Sequence, residues 1–222
     1  MFGLRAVTSI VALCFAVAVK AMPSSDAIIG SGLAVTQFPP VPDFSNASWI
    51  WTSTKGLTGV PPGTAAFRLT VPGPTILGPS ANISVAISVD NAYSLYLNGK
   101  LIGNGVQGIN ANIWTINNVP TNTPWVFAIM ATNYALSLNN TAVNPAGIIA
   151  SFVASSLSTQ NAKFWSTGPA PNPQWKGTDL AYDNFYTTTL DDSAWPAAVV
   201  MVGYGGAPWG TLPPAVPASL CV

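Results

Sequence analysis

ANISVAISVDNAYSLYLNGKLI, residues 81–102, decides the fold class of this chain. Ile83, Val85, Ile87 and Val89 alternate with Asn82, Ser84, Ala86 and Ser88, the two-residue period of an extended strand with one apolar face. Asp90-Asn91 interrupts the run. Tyr93, Leu95 and Leu97 resume it up to Asn98-Gly99, the dipeptide that best tolerates the positive φ angles of a two-residue hairpin turn. Leu101 and Ile102 then begin a return strand. The polar Asp-Asn corner suits two roles: holding a small polar ligand, or closing the hairpin through an Asx turn.

Short strand-like runs continue on both sides of this stretch. ASWIWTS starts at Ala47, TAAFRLTV follows Pro61-Pro62-Gly63, and WVFAIMAT, AGIIASFVA and Ala197 to Val202 come later, separated by Gly, Pro and Asn. No segment of helical length carries an i, i+3, i+4 apolar stripe, and no internal repeat has a fixed period. The reading is all-β, an antiparallel sandwich or jelly roll with one core.

The N-terminus carries Arg5, an apolar run and Val19-Lys20-Ala21, so residues 1–21 are read as a secretory signal peptide and the product as secreted and extracellular. Residues 22–46 read as a Pro/Gly/Ser-rich lead-in, 47–210 as the sandwich and 211–222 as a Pro-rich tail. No later run approaches the length of a membrane-spanning helix. Beyond residue 21 only Lys55, Arg68, Lys100, Lys163 and Lys176 are basic, against seven aspartates, a balance of about −2. Five scattered cations form no basic face, which sets nucleic acid aside as a partner. Asn46, Asn82 and Asn139 open glycosylation sequons. Cys14 lies in the signal, leaving Cys221 alone near the C-terminus, where it could link two chains, be capped or have no role.

The order ASWIW (47–51), AFRLTV (66–71), Asp90-Asn91-x-Tyr93 with Tyr96-Leu97-Asn98-Gly99, Ala131-Thr132-Asn133, PAGIIA (145–150) and LDDSAWP (190–196) resembles the galactose-binding-like sandwiches that accompany rhamnosidases and β-galactosidases. The resemblance implies a jelly roll whose relatives often bind carbohydrate, sometimes hold a structural Ca²⁺, and often only pack against a catalytic neighbour. Fold alone assigns no function.

The whole chain contains neither histidine nor glutamate, which excludes Ser-His-Asp and Cys-His catalysis and histidine-based zinc sites. Only Asp179, Asp183, Asp191 and Asp192 cluster as carboxylates for glycoside hydrolysis. Asp191 and Asp192, being adjacent, point to opposite sides of an extended chain and make a poor dyad. Their alternative role is to cap a turn into Trp195. No catalytic residue is therefore assigned. Sugar sites combine aromatic faces with Asn, Asp or Arg groups, and Asp90, Asn91, Tyr93, Asn110, Asn112, Trp114 and Asn133 form the candidate ligand-binding set, expected at loops or strand ends. At Asp90 the ligand atom would be a sugar hydroxyl or Ca²⁺. Trp49 and Trp51 are expected to share one core-facing side, while Trp165, Trp175 and Trp209 are either binding platforms or plugs. The leading expectation is a secreted, non-catalytic, lectin-like protein that binds glycans or cell-wall polysaccharide. The alternatives are a structural or adhesive extracellular protein and a weak Asp-dependent glycosidase.

Overall fold

The computed structural model describes residues 39–106, 110–135, 142–180 and 183–218. The expected signal, most of the lead-in, Asn139 and Cys221 lie outside them. Twelve strands run through the described residues: β1 (Ser48–Trp51), β2 (Gly63–Val71), β3 (Ser80–Asp90), β4 (Ala92–Leu97), β5 (Lys100–Val106), β6 (Asn112–Pro120), β7 (Trp125–Asn133), β8 (Gly147–Ser156), β9 (Asn161–Ser166), β10 (Lys176–Thr178), β11 (Val199–Gly203) and β12 (Val216–Pro217). One sheet has seven strands in the order β11-β1-β8-β3-β6-β12, with β9 also on β8, and the other has five in the order β10-β2-β7-β4-β5. All these pairings are antiparallel except β12 on β6. The fold is an all-β sandwich of the jelly-roll class.

Asn98 (φ 49°) and Gly99 (φ 83°) make the two-residue turn between β4 and β5 that their sequence predicts. The other end of β4 departs from expectation. Asp90-Asn91 closes no hairpin, because β3 pairs with β6 and β8 in the seven-stranded sheet while β4 pairs with β5 and β7 in the five-stranded one. The corner is where the chain crosses from one sheet to the other, since the apolar faces of both strands must turn into the same core.

That core follows the two-residue periods. Ile83, Val85, Ile87 and Val89 of β3 and Ile148, Ala150, Phe152 and Ala154 of β8 meet Phe67 and Leu69 of β2 and Trp125, Phe127 and Ile129 of β7. Phe127 and Phe152 face each other with ring centroids 4.8 Å apart. Each of the Val, Leu, Ile and Phe side chains contributes about 1.5–3 kcal/mol when fully buried. The intervening residues of β2 and β7 face outward, where Ala66 and Ala128 are covered by Phe185 from the segment before β11.

Trp49 and Trp51 are both buried but do not share a cluster. Trp51 packs on Phe67 between the sheets, whereas Trp49 stacks on Trp209 at 4.2 Å in a second cluster with Phe44, Ala86, Ile149 and Leu212. A register shift against β11 falls between Trp49 and Ile50, so simple alternation fails there. Phe44 and Leu212 carry the packed unit past both expected sandwich boundaries.

Candidate functional site

The seven candidate residues separate into two groups. Tyr93, Asn112 and Trp114 form a chain of hydrogen bonds: the Trp114 indole N–H donates to the Tyr93 hydroxyl at 2.9 Å, and that hydroxyl donates to Asn112 Oδ1 at 3.1 Å. Trp114 lies within β6 and not at a strand end, and both rings are buried in the inter-sheet core. Gly103 and Gly105 of β5 make room for them: a Cβ on Gly103 would lie 2.1 Å from the Trp114 ring, and one on Gly105 2.1 Å from the Tyr93 ring. Burial pushes the Tyr93 phenol up to about 12, with the Trp114 hydrogen bond acting weakly against it. These rings tie the sheets together and offer no platform to a ligand.

The second group lies at the Asp90 end of the sandwich. Asp90 is half-buried, with Oδ2 accepting from the Trp209 indole N–H at 2.9 Å and Oδ1 from the Asn91 amide at 2.7 Å. Burial raises its carboxyl above the ordinary range, and the Trp209 bond offsets this in part. Asn91 Oδ1 accepts from the backbone N–H of Tyr134, which is about half exposed. The Tyr134 carbonyl accepts from the Asn144 amide, and Asn144 exchanges backbone hydrogen bonds with Val60. Asn133 donates to the Val60 carbonyl at 3.1 Å, while its buried Oδ1 has no protein partner. Asn110 is exposed just ahead of β6, whose Asn112 faces Ile87, so it lies toward the Asp90 end of β3. All the polar donors of the corner toward a metal are oxygens, the chemistry that Ca²⁺ takes, with one carboxylate among them.

Trp209 and Tyr134 are the corner residues that the sequence does not single out. Trp209 is one of three undecided tryptophans, and the separation of 119 residues from Asp90 hides its role. Of the other two, Trp175 is a core plug, and Trp165 is half-buried, edge-on to Trp125. A groove of about 570 Å³ lined by Trp51, Lys55, Pro61, Pro62 and Asp179 opens at the Gly63 end of β2, the end that pairs with Asn133.

Three of the four clustered aspartates have structural partners, and Asp183 is exposed. Asp179 accepts from the Thr52 hydroxyl, and Asp191 Oδ1 caps a turn by accepting from the Ser193 N–H at 2.9 Å. Asp192 binds Lys176 at 3.1 Å and the Nε of buried Arg68 at 2.9 Å. Burial alone would raise the Asp192 carboxyl, but its bonds to Arg68 and Lys176 outweigh that and hold it below the ordinary range.

The fold is that of the galactose-binding-like β-sandwiches that occur as accessory domains of rhamnosidases. No family model matches the chain. It is 29% identical over 180 residues to the alpha-L-rhamnosidase of Streptomyces avermitilis, a match covering 80% of this chain and 16% of that enzyme. Among solved structures, the Pleurotus ostreatus lectin, determined in apo form and in complex with GalNAc, superposes with a TM-score of 0.64 at 31% identity, over 79% of this chain and 49% of the lectin chain. The Streptomyces avermitilis rhamnosidase complexed with L-rhamnose superposes with a TM-score of 0.61 at 26% identity, over 76% of this chain and 16% of the enzyme. The chain thus spans under half of the lectin and about a sixth of the enzyme.

Proposed function

We propose that this chain is a non-catalytic, lectin-like carbohydrate-binding sandwich, released through its N-terminal signal, whose ligand is held at the Asp90-Asn91 corner. The observation that carries the reading is the likeness to a lectin whose structure holds GalNAc. The corner supplies what a pyranose needs: an acceptor carboxylate, an anchored amide and the exposed ring of Tyr134 for stacking on a C–H face. The non-catalytic reading rests on the residue types: histidine and glutamate are missing from the sequence, and Asp191 and Asp192 serve a turn and an ion-pair network. Asn46 is exposed and suited to carry a glycan, whereas Asn82 is half-buried and its Oδ1 accepts from the Asn118 N–H.

The test is calorimetric titration of the full chain with GalNAc and with L-rhamnose, in calcium and in chelator. Binding that Asp90→Asn and Asn91→Ala each weaken at least tenfold supports the corner, and loss in chelator adds a cation to it. Binding that survives both substitutions removes the corner. Silence toward a wide glycan panel leaves a structural or adhesive protein as the reading.

A further inference from the structure

At the opposite end of β4, a second concavity stands apart from the corner. It lies against the outer face of the five-stranded sheet and has a volume of about 470 Å³, within the range of about 300–1,000 Å³ of small-molecule sites. Thr70 of β2 and Val126 of β7 are cross-strand partners in its lining, and the Asn98 turn and the stretch from Thr188 to Asp192 border it. β4 spans Ala92–Leu97 between the two places, and at roughly 3.3 Å per residue this puts about 20 Å between them.

We propose that this cleft is a second saccharide site, taking a neutral or amine-bearing sugar unit and making a single chain bivalent. Sugars present hydroxyl edges and C–H faces, and the lining offers both complements. Asn98 has its Oδ1 fixed by the Val126 N–H at 2.7 Å, so its amide hydrogens are the donors it offers. Thr70, Thr123 and Thr188 are exposed hydroxyls that donate or accept. Pro124, Val126 and Leu190 supply the apolar strip.

Charge narrows the ligand class. Arg68 and Lys176 both bond Asp192, while Asp191 is fully exposed and its carboxyl is held low by the hydrogen bonds with Ser193. The two cations and two carboxylates sum to zero, but Asp191 is the one of the four outside the ion-pair network, and beside it the cleft favours hydroxyl and ammonium donors and opposes uronic or sialic acids. The shape of the cleft persists because Arg68 also donates to the Phe185 and Thr187 carbonyls, clamping its wall to β2. Two sites on one chain let it bridge glycans without dimerising.

The experiment is an NMR titration of the ¹⁵N-labelled full chain with GalNAc, galactosamine and, as the anionic control, glucuronate. The expected result is saturable movement of the Val126 and Ser193 amides with galactosamine or GalNAc and none with glucuronate, in the native chain and in Asn91→Ala alike. Thr188→Trp, which fills the cleft from an exposed position, abolishes that movement and leaves the corner amides responsive. Asp191→Asn preserves the turn and weakens galactosamine at least tenfold. Movement confined to the corner overturns the second site while sustaining the first. Movement confined to the cleft sustains the second site and overturns the corner, and stillness at both overturns both.

Discussion

Replacing Arg68 with Met keeps most of the buried aliphatic stem and removes the charge, which tests the network that binds the late segment to the sheet. Arg68 is 2% exposed, and its guanidinium bonds Asp192 at 2.9 Å, the Thr187 carbonyl at 3.0 Å and the Phe185 carbonyl. Hydrogen bonds to charged groups contribute about 1.5–3 kcal/mol each, but losses within one network do not add. Lys176 still neutralises Asp192, and the freed carbonyls recover water if the segment lifts. The lift is opposed by Phe185, whose burial is worth about 1.5–3 kcal/mol. The expected loss is therefore about 3 kcal/mol, at the lower end of the cost of breaking a buried pair. For a domain of this size that is about 6–12 °C in melting temperature. Urea unfolding of Arg68→Met, Asp192→Asn and the double variant measures it, with coupling of about 1 kcal/mol or more expected between the two sites. Amide exchange should accelerate first around residues 185–195. A loss under about 0.5 kcal/mol for Arg68→Met, or strict additivity, would refute the clamp.

Trp114→Phe strands the Tyr93 hydroxyl without its donor and should cost about 1–3 kcal/mol while leaving sugar affinity unchanged; weakened binding would restore Trp114 to the ligand site. Gly103→Ala drives a Cβ into the Trp114 ring and should cost about 1–3 kcal/mol by overpacking, so a melting temperature equal to that of the native chain contradicts the packing. Two carboxylates set opposite acid responses. The folded value of Asp90 is raised above 3.8, so the native chain binds the extra proton, and its contribution to stability grows as pH falls from that raised value toward 3.8. The folded value of Asp192 is lowered, so its contribution is present above 3.8 and disappears as pH falls through the folded value. Urea midpoints across this range should lose the first trend in Asp90→Asn and keep the second. Trp209→Phe retains a ring to stack on Trp49 but removes the donor to Asp90, so sugar binding should fail at higher pH than in the native chain. An unchanged pH profile would remove Trp209 as a positioning residue.

The fold class is legible in the sequence because strand periodicity is local. Ile83 to Val89 and Tyr93 to Leu97 declare which side chains face the core, and Asn98-Gly99 declares its turn through the φ angles its residues tolerate. The residue types also narrow the chemistry, since a chain without histidine or glutamate leaves aspartate as its only carboxylate side chain for acid-base work. The Asp90-Asn91 corner is visible as a polar break for the same local reason. The partners of each strand are decided over long separations, and no local pattern encodes them. Alternation cannot reveal that β4 leaves the sheet of β3, or that Trp49 and Trp51 enter different clusters. It makes Trp114 look available, because the space that buries it comes from Gly103 on a neighbouring strand of the other sheet. Trp209 meets Asp90 across 119 residues and Asp192 meets Arg68 across 124, so only the packed sandwich joins an indole donor to the corner and closes a clamp around the second cleft.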